Sequence, residues 1–491
     1  MKARRGLFIT LVLLALALIA GLGLIVNRNL VDFPVYYAAG QSLRSGRTDL
    51  YAADFARGPL MDYRYLPLFL VSFIPLWRLP YPAAAFVWYS LEVFEIALSV
   101  WATRAALNWS FVFKGAKGDA DPEQSSRVPG IDVTDSTSGA TRIELAADSS
   151  LSRNGSRRLV WLVPFLAVSP YFVMVLHYGN AHLLAVALLF ASLYLTLKAR
   201  DTPAGLLMAL SITIKLTPVL LLPYFAIRGR WKFLGVTAAF LLALNMAPAA
   251  YFGASRNMEL AETWYRHVVA SQEFHEENGP INLSIKGQLR RYLTHVDYGK
   301  RLDGDTRYPA VNVLSLGAAS VTRLWWMIDV LMFAALMAYF FKGAKAPAVM
   351  AQRGIGKTGT GGQVTQEGQA EQGEQLAQWR EERLCLEIGL MITAMLLLEP
   401  LTSKIYFISL LWPVACLAKL VAAGDARLTG MKWLLVAAAA ANFVLPLLPG
   451  RPIQRLLLVL GADFYLTVLL FLALLYGLKQ ISRPWTGARF A

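Results

Sequence analysis

The stretch NLVDFPVYY, residues 29–37, follows the first long apolar run of the chain and opens a polar loop that reaches to about Pro67. Asp32 lies near its centre, between a predicted membrane span and a group of Tyr and Arg residues. A carboxylate placed there is partly desolvated yet reachable from water, so it can act as a general base on a membrane-bound substrate. The alternative is that Asp32 only caps a short interfacial helix, for which Pro34 suits the first turn.

The composition is typical of a polytopic membrane protein. Of 491 residues, 56% are hydrophobic and 16% are charged, and several apolar runs are too long for a soluble core. The net charge of +15 comes from basic residues that punctuate the apolar runs, which argues against nucleic acid as a partner and favours anionic lipid headgroups. Cys385 and Cys416, the two cysteines, lie in apolar runs without metal-ligand or disulfide spacing.

The apolar runs predict an all-α membrane protein with about ten full crossings, re-entrant or interfacial helices and two extracytoplasmic loops. The first crossing, residues 6–26, follows three basic residues and is interpreted as an uncleaved span, so that both termini are cytoplasmic and the Asp32 loop is outside. We expect a multi-pass protein of the plasma (inner) membrane. The later predicted spans are residues 81–107, 159–176, 181–197, 233–252, 324–341, 384–398, 405–420, 433–448 and 457–475, with a shorter interfacial or re-entrant segment at 67–80.

One apolar segment, residues 204–227, is divided at Thr217 and Pro218, with Lys215 close to the division. Basic residues flank both of its ends, which indicates that both ends face the cytoplasm and that the segment enters the membrane and returns. A broken membrane helix is tolerated where it lines a cavity. The flanking basic residues are Lys198, Arg200, Arg228, Arg230 and Lys232.

Composition divides the chain into five parts. Residues 108–158 and 343–383 are poor in aromatics and rich in Gly and polar residues, which predicts two disordered cytoplasmic loops. The remaining parts are the first spans with the outer loop 27–66 (residues 1–107), a central membrane region with the outer loop 253–323 (residues 159–342), and a C-terminal bundle (residues 384–491).

The predicted topology places four polar segments on one face of the membrane. They are the Asp32 loop, the turn HYGNAH at 177–182, the run NLSIKGQLRRY at 282–292 and the turn EPLTSKIY at 399–406. Their convergence predicts a single extracytoplasmic site at the outer interface.

Several stretches resemble integral-membrane glycosyltransferases of the GT-C type, specifically glycosyltransferase family 87, the polyprenol-phosphate-mannose-dependent mannosyltransferase group. The stretch AGLLMALSITIKLTPVLLLPYFAIRGRW at 204–231 is the most specific, and NLSIKGQLRR at 282–291 is also similar. The other similar stretches are DFPVYYAAGQSLRSGRTDLY at 32–51, YRYLPLFLVSFIPL at 63–76 and YGNAHLLAVAL at 178–188.

The resemblance implies an inverting transfer of a sugar, mannose first, from a polyprenyl-phosphate donor to a hydroxyl of a lipid or glycan acceptor outside the cytoplasm. Asp32 is then the general base. The lipid-linked sugar is a substrate, no cofactor is expected, no metal ligands are assigned, and a divalent metal is left open. The predicted substrate-binding residues are Tyr36, Tyr37, Arg64, Tyr65, Asn180, His182, Lys215, Asn282, Ser284, Arg290, Arg291, Lys404 and Tyr406.

Two other functions are compatible with the residues. Glu92 and Glu95 are spaced to share a helix face, and Asp329 and Glu387 lie in or beside other spans, as in a transporter or flippase of a lipid-linked or small substrate. An inverted repeat of broken helices, which many transporters have, is not evident in the sequence. In a non-catalytic membrane assembly protein Asp32 would be dispensable, and the oligomeric state is not predicted in any of these cases.

Overall fold

We describe the fold over residues 30–52, 55, 63–107, 162–270, 281–295, 309–355, 366–422, 430, 431, 435 and 451–481, as given by a computed structural model. Three predicted features lie outside these residues. They are the first span with the N-terminus (residues 1–29), the loop at 108–158, and the span at 433–448 except residue 435.

Within the described residues the secondary structure is helical. The first helices are α1 (Phe33–Arg44), α2 (Pro67–Ser72), α3 (Ile74–Trp77), α4 (Tyr81–Ala106), α5 (Leu162–Tyr178) and α6 (His182–Leu197). The central helices are α7 (Asp201–Ile214), α8 (Leu221–Ile227), α9 (Trp231–Met246), α10 (Ala249–Phe252), α11 (Ala254–Trp264) and α12 (Ile285–Leu293). The last helices are α13 (Ala318–Ile355), α14 (Gln366–Leu398), α15 (Leu411–Ala422), α16 (Arg451–Leu460) and α17 (Ala462–Ile481).

The all-helical membrane class predicted from the sequence is confirmed. Five described segments are long and apolar enough to cross a bilayer: Tyr81–Ala106, Trp231–Phe252, Ala318–Gly343, Lys404–Ala422 and Ala462–Ile481. Large apolar side chains are exposed on four of them, as expected of surfaces that contact lipid, whereas Lys404–Ala422 is mostly buried among the other helices. The figure of about ten crossings stays a prediction.

The predicted break in segment 204–227 is present. Helix α7 ends at Ile214, and Lys215 takes an extended conformation with φ −139° and ψ 121°. A short 3-10 turn, Thr217–Leu220, then leads into α8, with Pro218 in its first turn. Proline lacks a backbone N–H and disfavours helical geometry at the residue before it, so the chain cannot continue α7 through this point.

Two cores hold the helices together. The larger core joins α6, α7 and α9 with the end of α14 and with α15, and includes Phe190, Met208 and Trp412. The smaller core surrounds α1, where the Phe33 ring packs 5.6 Å from the Trp88 ring of α4. This second core fixes the Asp32 segment against the membrane helices.

Residues 343–383 differ from the predicted disordered loop. Helix α13 extends to Ile355, and α14 begins at Gln366, so the described parts of this range are helical. Gln, Glu, Ala and Arg are good helix formers, and here they extend apolar helices. The predicted outer loop 253–323 likewise contains α11 and α12, and the predicted span 457–475 is divided at Gly461, whose φ is 76°.

Candidate active site

Asp32 immediately precedes α1, but its side chain does not cap that helix. The carboxylate is 3% exposed, and its Oδ2 accepts a hydrogen bond of 2.6 Å from Asn180 Nδ2. The backbone N–H of Asp32 donates to the Tyr178 carbonyl at 2.8 Å. Asp32 is therefore tied to the 178–182 turn by both backbone and side chain, and the capping interpretation does not describe its carboxylate.

The turn at 178–182 orients the amide of Asn180. Its Oδ1 accepts from the backbone N–H of His182 at 2.7 Å, which directs Nδ2 toward Asp32. The turn itself requires Gly179, whose φ is 65° and whose carbonyl accepts from the Trp88 indole at 3.1 Å. Helix α4 thus supports the residue that holds Asp32.

Two tyrosines border the carboxylate. The hydroxyls of Tyr36 and Tyr65 are 2.8 Å apart, and their rings meet edge to face at 5.2 Å. Burial raises the pKa of Tyr36 well above its ordinary value, and the neighbouring Tyr65 and Asp32 raise it further. Burial also raises the pKa of Tyr65. Both phenols are therefore protonated at neutral pH and can donate hydrogen bonds.

Lys215 brings a positive charge to the same region. Its Nζ forms a 3.1 Å ion pair with Glu399 Oε1 and lies 3.2 Å from the centre of the Tyr406 ring. Burial raises the pKa of Glu399, and Lys215 acts in the opposite direction. The hydroxyl of Tyr65 lies within electrostatic reach of both Asp32 and Lys215, which connects the two charges.

His182 links the Asn180 turn to the 399–406 turn. Its ring lies 4.4 Å from the Tyr406 ring, and its Nε2 is 3.5 Å from the Ser409 hydroxyl. Three of the four predicted polar segments therefore converge, together with Lys215. The predicted site residues brought together are Asp32, Tyr36, Tyr65, Asn180, His182, Lys215 and Tyr406.

The fourth polar segment, residues 282–292, contacts the 399–406 turn. Asn282 Nδ2 donates to the Pro400 carbonyl at 2.9 Å, and its Oδ1 accepts from the backbone N–H of Thr402 at 3.2 Å. The Ser284 hydroxyl caps α12 by accepting from the Gly287 N–H at 3.1 Å. These contacts fix the conformation of the 399–406 turn, so in the structure Asn282 and Ser284 are positioning residues.

Three cations among the predicted substrate-binding residues contact parts of the fold away from Asp32. Arg291 donates to the carbonyls of Leu458 and Val459, both at 3.1 Å, at the end of α16. Arg290 Nη2 is 3.4 Å from the Thr322 hydroxyl. Lys404 forms a 3.2 Å ion pair with Asp463 of α17. These contacts connect helices and do not join the Asp32 cluster.

Tyr37 and Arg64 also have contacts away from Asp32. The Tyr37 hydroxyl donates to the Leu79 carbonyl at 2.8 Å, and its ring packs against Tyr81 at 5.2 Å. The backbone carbonyl of Arg64 accepts from the Trp264 indole at 2.9 Å. Tyr37 is thus an interfacial aromatic that anchors α1 to the start of α4.

Two acidic residues of interest are not among the predicted residues of the transfer site: Glu399, and Glu92, which the sequence associates only with the transport alternative. Glu399, the partner of Lys215, was not among the predicted site residues, although a buried lysine calls for an anion. Glu92 is 1% exposed, and neither of its carboxylate oxygens has a hydrogen-bond partner among the described residues. It lies one turn after Trp88 on α4 and within electrostatic reach of Asp32.

Comparison with known proteins identifies the family. A search of curated proteins gave no match. The family model described as glycosyltransferase family 87 matches residues 63–354, which is 292 of 491 residues and more than half of the chain. The matched range includes Asn180 and Lys215 but neither Asp32 nor Glu399, so the importance of these two residues is argued from geometry. The chain belongs to glycosyltransferase family 87 and is a membrane glycosyltransferase.

Proposed function

We propose that the protein transfers a sugar, with mannose as the first candidate, from a polyprenyl-phosphate donor to a hydroxyl of a lipid or glycan acceptor. The transfer inverts the configuration at the anomeric carbon and takes place on the extracytoplasmic side of the plasma membrane. The observation that carries the proposal is the buried Asp32 carboxylate, whose Oδ2 accepts a hydrogen bond of 2.6 Å from Asn180 Nδ2. The GT-C fold and about ten crossings belong to the same proposal.

Asp32 is the general base. An acceptor hydroxyl is too weak an acid to attack unaided, so the carboxylate takes its proton as the new bond from the acceptor oxygen to the anomeric carbon forms. Asn180 keeps the carboxylate in place, and the fixed backbone around Gly179 keeps Asn180 in place. Such preorganisation avoids the cost of reorienting the base during the reaction.

Lys215 assists the departure of the lipid phosphate. The bond from the anomeric carbon to the phosphate oxygen breaks with its electron pair on the oxygen, so the phosphate gains negative charge. A cation in a low-dielectric site stabilises that charge more strongly than it does in water. The protonated hydroxyls of Tyr36 and Tyr65, which are 2.8 Å apart, suit sugar hydroxyls as partners.

The donor is lipid-linked in this proposal because the site lies among membrane helices. Tyr406 begins the apolar segment Lys404–Ala422, and His182 begins the apolar helix α6. A polyprenyl chain can remain in the bilayer while its phosphate reaches Lys215. The bilayer, the donor and the acceptor are therefore the proposed partners.

The test offers purified protein in nanodiscs a panel of polyprenyl-phosphate sugars with a lipid-extract acceptor pool. We expect one donor to be consumed by the wild type and not by Asp32→Asn, which would also name the sugar. The exposed Asp49, paired with Arg47 at 2.6 Å, supplies the matched control Asp49→Asn. Consumption of nucleotide sugars in place of every lipid-linked donor would contradict the proposal.

A transport function is the second candidate, and the buried Glu92 favours it. Glu92 and Glu95 share one face of α4, are 1% and 2% exposed, and are spaced three residues apart inside a membrane-spanning segment. Intramembrane acids of this kind carry protons or ions in many transporters. A substrate-movement assay with the variant Glu92→Gln/Glu95→Gln separates the two functions.

A further inference from the structure

A cavity lined by arginines and apolar side chains lies at the opposite end of helices that build the Asp32 site. Thr196, near the end of α6, lines it, whereas His182 begins the same helix at the Asp32 site. At a rise of 1.5 Å per residue the 14 residues between them span about 21 Å. Leu384 of α14 also lines the cavity, about 21 Å before the end of that helix at Leu398 by the same rise. The cavity has a volume of about 270 Å³.

Arginines dominate the lining of this cavity. Four of them, Arg228, Arg230, Arg380 and Arg383, line it together with a single carboxylate, Glu387. They come from two places in the chain: the connection between α8 and α9, and α14. In the sequence, Arg228 and Arg230 indicate only the membrane topology, and the proposed transfer site gives them no function.

The carboxylates nearby neutralise only part of the positive charge. Glu387 is fully used, since Arg383 Nε donates to its Oε1 at 2.9 Å while Arg228 and the Tyr224 hydroxyl donate to Oε2. Asp201 lies 3.5 Å from Arg230. Among the described residues that line the cavity, four guanidinium groups thus face one carboxylate, Glu387, and Asp201 lies beside Arg230.

A guanidinium carries five N–H donors, so the pairs above do not use every donor of the four arginines. A planar guanidinium presents its donors in a fork that matches the oxygens of a phosphate group. The apolar side chains of Phe225 and Leu384 form another part of the wall and suit the first carbons of a hydrocarbon chain.

We propose that this arginine cavity, defined by Arg228, Arg230, Arg380 and Arg383, binds the phosphate group of a phosphate ester. The ligand is either a membrane lipid with a phosphate headgroup or a free phosphate compound, since both present the same oxygens to the arginines. The site is separate from the proposed transfer site and does not depend on Asp32.

The test measures binding to the purified full-length protein in a phosphate-free detergent by native mass spectrometry. The probes are inorganic phosphate, phosphatidic acid, phosphatidylglycerol and the uncharged dioleoylglycerol. The variants are Arg380→Gln, whose side chain is exposed and therefore tolerant of change, and Arg228→Gln/Arg380→Gln. The control is Lys198→Gln, a neighbouring cation that pairs with Glu381 at 4.0 Å.

We expect the wild type and the control to bind a phosphate-bearing probe, Arg380→Gln to bind it about tenfold more weakly, and the double variant more weakly still. Binding of the two phospholipids alone identifies a lipid headgroup as the ligand, and binding of inorganic phosphate identifies a free phosphate compound. Equal affinity for dioleoylglycerol, or an affinity of the folded double variant within twofold of wild type, would overturn the proposal. So would the absence of binding by every probe.

Discussion

Replacing Asn180 tests whether the orientation of Asp32 matters for transfer. The Asn180 amide donates a buried hydrogen bond of 2.6 Å to the carboxylate and makes it through a side chain fixed by the His182 N–H. A buried hydrogen bond to a charged group contributes about 1.5–3 kcal/mol, so Asn180→Ala should slow transfer about 10- to 100-fold. The loss should fall on kcat more than on KM, because the amide orients the base and does not hold the substrate.

The assay is steady-state sugar transfer in nanodiscs beside a thermal unfolding measurement of each variant. Asn312→Ala is the matched control, since Asn312 is partly exposed and its amide bonds with Leu314 and Ser315 in its own turn. The variant Asn180→Asp gives a second, independent readout. It places two carboxyl groups together, so they share a proton and the acidic limb of the rate profile moves to higher pH. A wild-type kcat in Asn180→Ala, together with an unchanged pH profile in Asn180→Asp, would show that Asn180 does not orient Asp32 for transfer.

Three further predictions concern the cation, the buried acids and the α1 core. Lys215→Gln should slow transfer about 100-fold, because the positive charge that stabilises the leaving phosphate is lost, while Lys215→Arg should retain most of the rate. Equal rates in the two variants would show that transfer does not use this charge. Glu92→Gln/Glu95→Gln should keep transfer within about threefold of wild type, because an amide has the shape of the carboxyl it replaces; a complete loss in the folded variant would show that the two acids take part in transfer. Gly40→Ala should destabilise the fold by about 1–3 kcal/mol, since a methyl group there overlaps the buried Trp77, whereas Gly235→Ala, with open space around it, is the control in the same thermal unfolding experiment.

Local sequence signals predicted the helices and the break between them. Apolar runs of sufficient length gave the membrane class, and Pro218 gave the interruption after Lys215. The polar turns at 178–182 and 399–406 were predicted to meet Asp32, and the structure brings them together. The helices and the break depend on neighbouring residues, and the meeting of the turns depends on the side of the membrane on which each turn lies. Both can be predicted from the order of residues in the chain.

Side-chain pairing across the fold could not be predicted in the same way. Glu399 pairs with Lys215 across 184 positions of sequence, and Lys404, predicted at the site, pairs with Asp463 instead. Arg291 donates to carbonyls at the end of α16, which come within its reach only when α12 and α16 are packed together. Helix packing decides which of several cations reaches a site, and helix packing cannot be predicted from periodicity in the sequence.

The most direct test of the central claim compares single-turnover sugar transfer by wild type, Asp32→Asn and Asp49→Asn in nanodiscs at matched folded concentrations. If Asp32 is the general base, Asp32→Asn should be about 10²- to 10⁴-fold slower than wild type, with an unchanged unfolding midpoint, while Asp49→Asn transfers at the wild-type rate. A rate in Asp32→Asn within about tenfold of wild type would contradict the assignment of Asp32 as the base.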